Sequence, residues 1–162
     1  MLRRIVTGAM TRTPHVAEIQ VPLDHVCVAI ELEIPSDVRY IERVVELVTR
    51  QCAELAYPAH KVSLNVPVAL SEALSNAILR GNRENLSKHV RVRARVDHTS
   101  LVLEVADEGS GFDLDLCTIE PTTPGDVERE DGRGLFLMRR LMDRVERFTD
   151  HGNVVRLTLH RI

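Results

Sequence analysis

The stretch Asp107-Glu108-Gly109-Ser110-Gly111-Phe112-Asp113 decides the fold, because it places an acidic residue and two closely spaced glycines behind a strand-like run. Two other polar segments accompany it in the same small chain. One is Ser71-Glu72-Ala73-Leu74-Ser75-Asn76-Ala77, and the other is Gly132-Arg133-Gly134-Leu135. Each segment alone is common in loops or helices, but the three in this order predict one composite site in one domain.

Composition indicates a single domain with an aliphatic core. The chain has 162 residues, of which 44% are hydrophobic and only 3% are aromatic. That length and that hydrophobic content are enough to build one core. The net charge of −3 gives no chain-wide attraction to nucleic acid or to anionic lipid.

The cysteines and the N-terminus bear on the cellular compartment. Cys27, Cys52 and Cys117 are isolated and form no Cys-x-x-Cys pair, which argues against a disulfide framework or a structural zinc site and suits a reducing cytosol. No sustained apolar stretch follows the basic residues Arg3 and Arg4. We therefore expect no signal peptide, no membrane span and a cytoplasmic protein.

Periodicity divides the chain into an N-terminal tail and one domain. Residues 1–24 show no clear period and contain two prolines, so we expect a loose tail followed by a domain over residues 25–162. Ser36 is the predicted N-cap of the first helix, and residues 113–131, rich in acidic residues, are predicted to form a mobile loop. The predicted strands are 26–34, 90–96, 101–106, 145–148 and 154–160, and the predicted helices are 37–56, from 61 or 67 to 80, and 135–142.

Glu72 and Asn76 are four residues apart, so they lie on one face of the predicted second helix. Apolar Leu70, Leu74 and Ile78 occupy the other sides of that helix. The polar pair therefore faces solvent or a cavity. A solvated helix face is the simpler interpretation of the pair alone, and the two other polar segments favour the cavity.

Asp107, at the end of a predicted strand, has two interpretations. It can begin a simple turn, as Asp-x-Gly stretches often do. It can also accept a hydrogen bond from an amino group such as the exocyclic N6 of adenine, with Gly109 and Gly111 leaving room for the base.

Gly132, Arg133 and Gly134 directly precede the last predicted helix. Glycines allow a tight turn there, and the first N–H groups of a helix suit phosphate oxygens. Arg133 either adds a positive charge beside a phosphate or is a solvated residue at a helix start. No Gly-x-x-x-x-Gly-Lys-Ser/Thr segment exists in the chain, which excludes a P-loop.

Together, Glu72-x-x-x-Asn76, Asp107-x-Gly109-x-Gly111 and Gly132-x-Gly134 resemble the N, G1 and G2 boxes of the GHKL ATPase superfamily, the Bergerat fold of gyrases, heat-shock chaperones and histidine kinases. The segments 71–77 and 132–139 look most like the RsbW/SpoIIAB branch of anti-sigma factors and serine-protein kinases. The resemblance covers about residues 26–160. It implies an α/β (α+β) fold, a two-layer sandwich with a mixed, mainly antiparallel sheet and helices on one face.

The resemblance also implies roles for the site residues. Glu72 would be the general base, and Asn76 would bind a Mg²⁺ that bridges the phosphates of ATP. Asp107 would read adenine, and residues 113–131 would close over ATP as a lid. The remaining residues implied in nucleotide binding are Gly109, Gly111, Gly132, Arg133, Gly134 and Leu135.

The activity implied by the branch is that of a Mg-ATP-dependent serine-protein kinase that is also an anti-sigma factor. Such a protein would bind a sigma factor, phosphorylate a STAS-type anti-anti-sigma protein on Ser or Thr, and form a homodimer, without direct contact with nucleic acid or membrane. Two alternatives stay open. One is an ATP-dependent binding switch without phosphotransfer, and the other is a stand-alone, histidine-kinase-like ATPase subunit of a sensor assembly.

One position departs from the family pattern. The family usually has Gly-Thr before the last strand, and the threonine hydroxyl supports the aspartate that reads adenine. Here the pair is Gly152-Asn153. Because asparagine also forms hydrogen bonds, we expect altered geometry around Asp107 rather than loss of its support.

Overall fold

A computed structural model of the protein describes residues 2–9, 15–20, 27–109 and 130–162. Its strands are β1 Leu2–Ala9, β2 His15–Gln20, β3 Val28–Pro35, β4 His89–Val96, β5 Ser100–Asp107, β6 Arg144–Thr149 and β7 Asn153–His160. They form one sheet in the order β2-β1-β3-β4-β5-β7-β6. β1 runs parallel to β3, and every other neighbouring pair is antiparallel.

The helices of the described residues are α1 Ile41–Glu54, α2 Val66–Ser75 and α3 Glu130–Leu141. A short 3₁₀ turn, Val38–Tyr40, leads into α1. Wider π-type turns, Lys61–Asn65 and Asn76–Gly81, continue α2 at both ends. The helices pack on one face of the sheet, so the predicted two-layer architecture with a mixed, mainly antiparallel sheet is confirmed.

The core lies between the helices and the inner face of the sheet. In β4 the residues Val90, Val92, Ala94 and Val96 are buried, and the arginines that alternate with them are half-buried or exposed. This alternation is what a strand with one face in the core requires. The buried cluster is almost entirely aliphatic, as the low aromatic content predicts.

The helix α2 lies at the centre of the core, in contact with α1, α3 and β5. Among the described residues, the continuous helical stretch Lys61–Gly81 is long and apolar enough to cross a membrane by length and composition alone, with a mean hydropathy of 1.3. The central helix of a globular core has the same composition, because it is apolar on most sides. Its buried residues are Val66, Ala69, Leu70, Ala73, Leu74, Ala77 and Ile78.

The N-terminal residues differ from the loose tail that the sequence predicts. β1 pairs with β2 through six residue pairs from Leu2↔Gln20 to Thr7↔His15, and it extends the sheet beside β3. Whether such a strand forms depends on the partners it pairs and packs with, here β2 and β3, which a local pattern does not reveal. The division of the chain near residue 25 stays a prediction.

Two predicted helix starts are wrong. Ser36 is not the N-cap of the first helix, because its hydroxyl donates to the carbonyl of Lys88 at 2.9 Å. Asp37 caps the 3₁₀ turn instead, and its carboxylate accepts from the N–H of Arg39. The sequence predicts that the last helix begins at Leu135, and the structure has it helical from Glu130. The other predicted strands and helices are confirmed to within a few residues.

Candidate functional site

Asp107 is the last residue of β5, and its side chain is held in place by the chain itself. The residue is only 8% exposed. Its Oδ1 accepts a hydrogen bond from the backbone N–H of Gly109 at 2.8 Å and another from Nδ2 of Asn153 at 2.9 Å. Both bonds from described residues reach the same oxygen, so Oδ2 keeps its capacity to accept a hydrogen bond from a ligand.

Gly81 and Gly109 let the end of the central helix approach Asp107. A Cβ on Gly81 would lie 2.3 Å from Cγ of Asp107, and a Cβ on Gly109 would lie 2.2 Å from the carbonyl oxygen of Gly81. Neither position has space for a side chain. The sequence predicts Gly81 only as a helix stop, because nothing local shows that a carboxylate packs against it.

Asn153 supports Asp107, as expected for the residue that replaces threonine. Its Nδ2 also donates to the carbonyl of Gly109 at 3.0 Å, and its Oδ1 accepts from the guanidinium of Arg147 at 3.2 Å. Gly152 precedes it with φ of +141°, and a Cβ there would lie 2.1 Å from the carbonyl oxygen of Asp107. The Gly152-Asn153 pair is therefore packed directly against the strand end that carries the aspartate.

Asn82 forms a second buried network behind the site, which the sequence does not indicate. Its Oδ1 accepts from the N–H of Glu108 at 2.8 Å. Its Nδ2 donates to Oγ of Ser36 at 2.8 Å and to the carbonyl of His89 at 2.9 Å. One buried amide thus ties together the ends of α2, β3 and β5 and the start of β4. This network fixes the backbone that directly follows Asp107.

Glu72 and Asn76 lie beside Gly134, where α3 begins to pack on α2. A Cβ on Gly134 would lie 2.6 Å from Oε2 of Glu72 and 3.5 Å from Nδ2 of Asn76. Both polar side chains are partly exposed. Neither of them forms a hydrogen bond or ion pair with another residue of the described ranges. Partial exposure fits a solvated helix face as well as a cavity, so the cavity interpretation of this pair stays a prediction.

The two ends of the site lie on the same side of the molecule. Asn76 and Gly81 are the first and last residues of one helical turn, five residues apart, and Gly81 touches Asp107. At the usual rise of a helix, that separation is about 7 Å along the axis. The structure thus brings Glu72, Asn76, Asp107, Gly109 and Gly134 into one region.

The remaining predicted site residues are placed as follows. Gly132 lies in the first turn of α3, and Arg133, next to it, is exposed. The glycine segment is therefore part of the helix, although the sequence predicts that it precedes the helix. The side chain of Leu135 is 5% exposed and belongs to the core. Gly111 and the predicted lid lie outside the described residues, except for Glu130 and Asp131 at the start of α3.

No protein-only metal site occurs in the part of the chain that the structure describes. Within residues 2–9, 15–20, 27–109 and 130–162, no three His, Cys, Asp or Glu side chains gather closely enough to hold an ion. The described residues alone would therefore leave a metal at this site in need of oxygen ligands from a bound molecule. Mg²⁺ is commonly held in that way, by few protein groups together with substrate phosphates.

Comparison with known proteins assigns the chain to a family. Residues 34–159 match the model of the histidine kinase-like ATPase domain. The chain is 32% identical to the serine-protein kinase RsbW of Bacillus subtilis over 77% of its length and 80% of the relative. RsbW of Bacillus velezensis is 31% identical, with 80% of this chain and 83% of the relative covered. An anti-sigma F factor of Clostridium beijerinckii is 29% identical over 60% of this chain and 68% of the relative.

The match spans every element from the end of β3 to β7, and it includes both ends of the site. The chain therefore belongs to the histidine kinase-like ATPase family, in the branch that contains the RsbW serine-protein kinases.

Proposed function

We propose that this protein is a Mg-ATP-dependent serine-protein kinase that also acts as an anti-sigma factor. Its protein substrate would be a STAS-type anti-anti-sigma protein, modified on Ser or Thr. The RsbW and anti-sigma F relatives support this choice by their names. The observation that carries it is the common location of Glu72 and Asn76 beside Gly134, one helical turn from Asp107.

Asp107 and Asn76 suit the two ends of an ATP molecule. Oδ2 of Asp107 can accept a hydrogen bond from the N6 amino group of adenine, because Oδ1 is already used by Gly109 and Asn153. The close approach of Gly81 and Gly109 leaves a flat, side-chain-free wall next to that oxygen. The triphosphate would then extend along the turn Asn76–Gly81 toward α3, whose first N–H groups have no partners within the helix.

Glu72 suits the role of general base. Its carboxylate lies beside the start of α3, where the terminal phosphate would be. In the transfer, the serine oxygen of the protein substrate forms a bond to the γ-phosphorus while the bond between that phosphorus and the bridging oxygen breaks. The serine proton passes to Glu72, and ADP leaves.

The donor set at this end also fits Mg²⁺. The amide oxygen of Asn76 is a hard neutral ligand with no competing partner among the described residues, and the phosphate oxygens of ATP would supply most of the other ligands. When bound, the ion would neutralise charge on the phosphates. Asn76 would hold it close to Glu72.

The partners and the compartment follow from the same proposal. A sigma factor would be the second protein partner, and the active form would be a homodimer in the cytoplasm. The relative named as an anti-sigma F factor supports a role in regulating transcription through protein binding. The proposal includes no direct contact with DNA or membrane.

Transfer of labelled phosphate to candidate anti-anti-sigma proteins from the same organism tests the proposal. Glu72→Gln should lower the transfer rate by about 100-fold or more, the usual contribution of a general base, while ATP binding persists. Glu42→Gln is the matched control, because Glu42 is an exposed carboxylate on α1, outside the site. It should transfer phosphate at the normal rate.

Two results would contradict the kinase proposal. If no wild-type preparation that binds ATP labels any candidate partner, phosphotransfer is not its activity. If Glu72→Gln leaves both the labelling and the partner response unchanged, Glu72 is not the base. ATP-dependent partner binding without label would instead indicate the binding switch.

A further inference from the structure

We infer that Arg147 is a positioning residue for nucleotide recognition: it orients the side-chain amide of Asn153 so that this amide holds Asp107 ready for adenine. This inference rests on the proposed binding of ATP and deepens it. It concerns a residue in β6 that none of the three sequence motifs contains. The supporting observation is a chain of hydrogen bonds from Arg147 through Asn153 to Asp107.

The contacts of Asn153 determine which way its amide points. A guanidinium is a donor only, so the atom of Asn153 that faces Arg147 at 3.2 Å must be the oxygen. The opposite atom is then Nδ2, which faces two acceptors: Oδ1 of Asp107 at 2.9 Å and the carbonyl of Gly109 at 3.0 Å. Every contact is satisfied in this orientation, and a flipped amide would set its oxygen against those two oxygens.

The orientation of the Asn153 amide affects Asp107 strongly because both residues are buried. Asn153 is 7% exposed and Asp107 is 8% exposed, so water does not readily replace a lost partner at either residue. Without a donor at its Oδ1, Asn153 would lose one of the three contacts that favour this amide orientation, and its buried oxygen would have no partner. Buried polar groups left without partners are costly, and an amide oxygen facing a carboxylate would push that carboxylate away.

The requirement for Arg147 arises from the asparagine. A threonine hydroxyl at position 153 can rotate to donate to Asp107 without any second residue to orient it. An asparagine amide has a donor end and an acceptor end, and it therefore needs a partner on each side. Asn153 thus makes support of Asp107 depend on Arg147 of β6, the strand next to β7.

The expected consequence is confined to recognition of the adenine amino group. Asn153 and Gly109 both donate to Oδ1 of Asp107, so they leave Oδ2 directed at the wall formed by Gly81. Loss of the Asn153 contact frees the carboxylate to turn. The contact of Oδ2 with an N6 amino group then weakens, while contacts made by the triphosphate at the Glu72 end persist.

A double-mutant cycle with two nucleotides tests the inference. The proteins are the wild type, Arg147→Met, Asn153→Thr and the double variant, and methionine keeps most of the arginine stem without a donor. The ligands are Mg-ATP and Mg-purine riboside 5′-triphosphate, which lacks only the N6 amino group. Calorimetry gives Kd for each pair, and thermal unfolding confirms that each variant folds.

We expect the wild type to prefer ATP over the purine analogue by about tenfold or more, the usual size for a hydrogen bond to a charged group. Arg147→Met should reduce that preference by about threefold to tenfold while Kd for the analogue stays within about twofold. In the Asn153→Thr background, the same substitution should change the preference by less than about twofold. Arg147→Lys, which keeps a donor, should recover part of the preference.

Three results would overturn the inference. Equal loss for both nucleotides would mean that Arg147 acts on the phosphates or on the fold. If Arg147→Met lowers the preference for ATP equally in the wild-type and Asn153→Thr backgrounds, Arg147 does not act through the amide of Asn153. If Arg147→Met leaves the preference for ATP unchanged, Arg147 has no role in base recognition. A wild type that binds neither triphosphate would contradict the proposed function itself. If the wild type binds ATP but the effect of Arg147→Met does not depend on Asn153, only the role of Arg147 is contradicted.

Where Arg147→Met fails to fold, the comparison of Arg147→Gln with Arg147→Glu, which has the same size and no donor when ionised, keeps the test decisive. Glutamine can present its amide N–H to Asn153, so it should retain more of the ATP preference than a substitution without a donor. Arg144→Met is the matched control on the same strand, because Arg144 pairs with Glu146 and not with Asn153. It should leave the preference for ATP unchanged.

Discussion

At the Asp107 end of the candidate site the chain supplies its own hydrogen-bond partners, whereas at the Glu72 end the polar side chains have none among the described residues. Asp107 receives bonds from Gly109 and Asn153 and is almost fully buried. Glu72 and Asn76 are partly exposed and lie beside Gly134 of α3. Bonds between described residues organise one end, and no such bonds hold the side chains of Glu72 and Asn76 at the other.

This difference suits the two ends of the site to different roles, base recognition at one end and phosphate transfer at the other. A carboxylate that is held in place loses little freedom when it accepts a base, so the Asp107 end can provide affinity and base selectivity. Side chains without partners can follow phosphate and metal as the reaction proceeds, which suits the Glu72 end to chemistry. Substitutions at the first end should therefore affect folding and base recognition, and substitutions at the second should affect metal dependence and transfer.

The largest expected effect is at Gly152. Gly152→Ala places a Cβ about where the carbonyl oxygen of Asp107 lies and forces a side chain into positive φ. Because the obstacle is backbone, we expect a loss of about 3 kcal/mol in the free energy of unfolding. Urea denaturation measures it. A loss below about 0.5 kcal/mol would mean that the loop before β7 yields easily.

Gly81 and Gly134 offer a direct comparison of the two ends. Gly81→Ala meets the carboxylate of Asp107, which hydrogen bonds hold in place, so we expect a loss of about 2 kcal/mol in stability. Gly134→Ala meets only the end of the flexible Glu72 side chain, and alanine favours a helix by about 1 kcal/mol over glycine. Its stability should stay equal or rise while phosphate transfer falls.

Thermal and chemical unfolding of the Gly81 and Gly134 variants, followed by the labelling assay, makes that comparison. Equal destabilisation by both substitutions would contradict the distinction between a fixed end and an adaptable end. So would a Gly134 variant that is stable and transfers phosphate at the normal rate.

Asp107→Asn should weaken ATP binding by about 1.5–3 kcal/mol, because it removes a charged hydrogen-bond acceptor from the base. The amide introduced by this substitution has two orientations, and each is unfavourable. In one, its NH₂ group faces the donors of Gly109 and Asn153; in the other, its oxygen faces those donors and its NH₂ group faces the amino group of the base. Asp150→Asn is a suitable control, since Asp150 is an exposed carboxylate. Unchanged ATP affinity in a calorimetric titration of Asp107→Asn would reject the base-reading role.

The smallest expected effect is at Asn76. Asn76→Ala removes one neutral oxygen ligand and should weaken ATP binding in Mg²⁺ by about 1 kcal/mol, with a smaller change in the presence of a chelator. Titrations with and without Mg²⁺ separate the two cases. If Asn76→Ala weakens ATP binding equally under both conditions, Asn76 contacts the nucleotide and does not bind the metal.

Much of the fold could be predicted from local pattern. The alternation in β4 and β5 and the apolar stripe of α1 predict those elements to within a few residues. The strands β1 and β2 could not be predicted in that way, since they depend on pairing with β3 and with each other. The predicted start of α3 is wrong because Gly132 and Gly134 are typical of a turn, although helix packing on α2 tolerates them.

The site was predictable only in part for the same physical reason. Glu72, Asn76 and Asp107 could be identified because the three segments occur together in the order of a known family, although each segment alone is common. Gly81, Asn82 and Arg147 matter through contacts with residues distant in sequence, so no spacing identifies them. Only the assembled sheet brings β6, β7 and the end of α2 together at one carboxylate.

The most direct test of the central claim is a crystal structure with Mg²⁺ and a non-hydrolysable ATP analogue. We predict that the N6 amino group lies within hydrogen-bond distance of Oδ2 of Asp107, and that the triphosphate runs toward Asn76 and Gly134 with its terminal phosphate next to Glu72. A nucleotide bound elsewhere, or bound with its base at Glu72 and its phosphates at Asp107, would contradict the account.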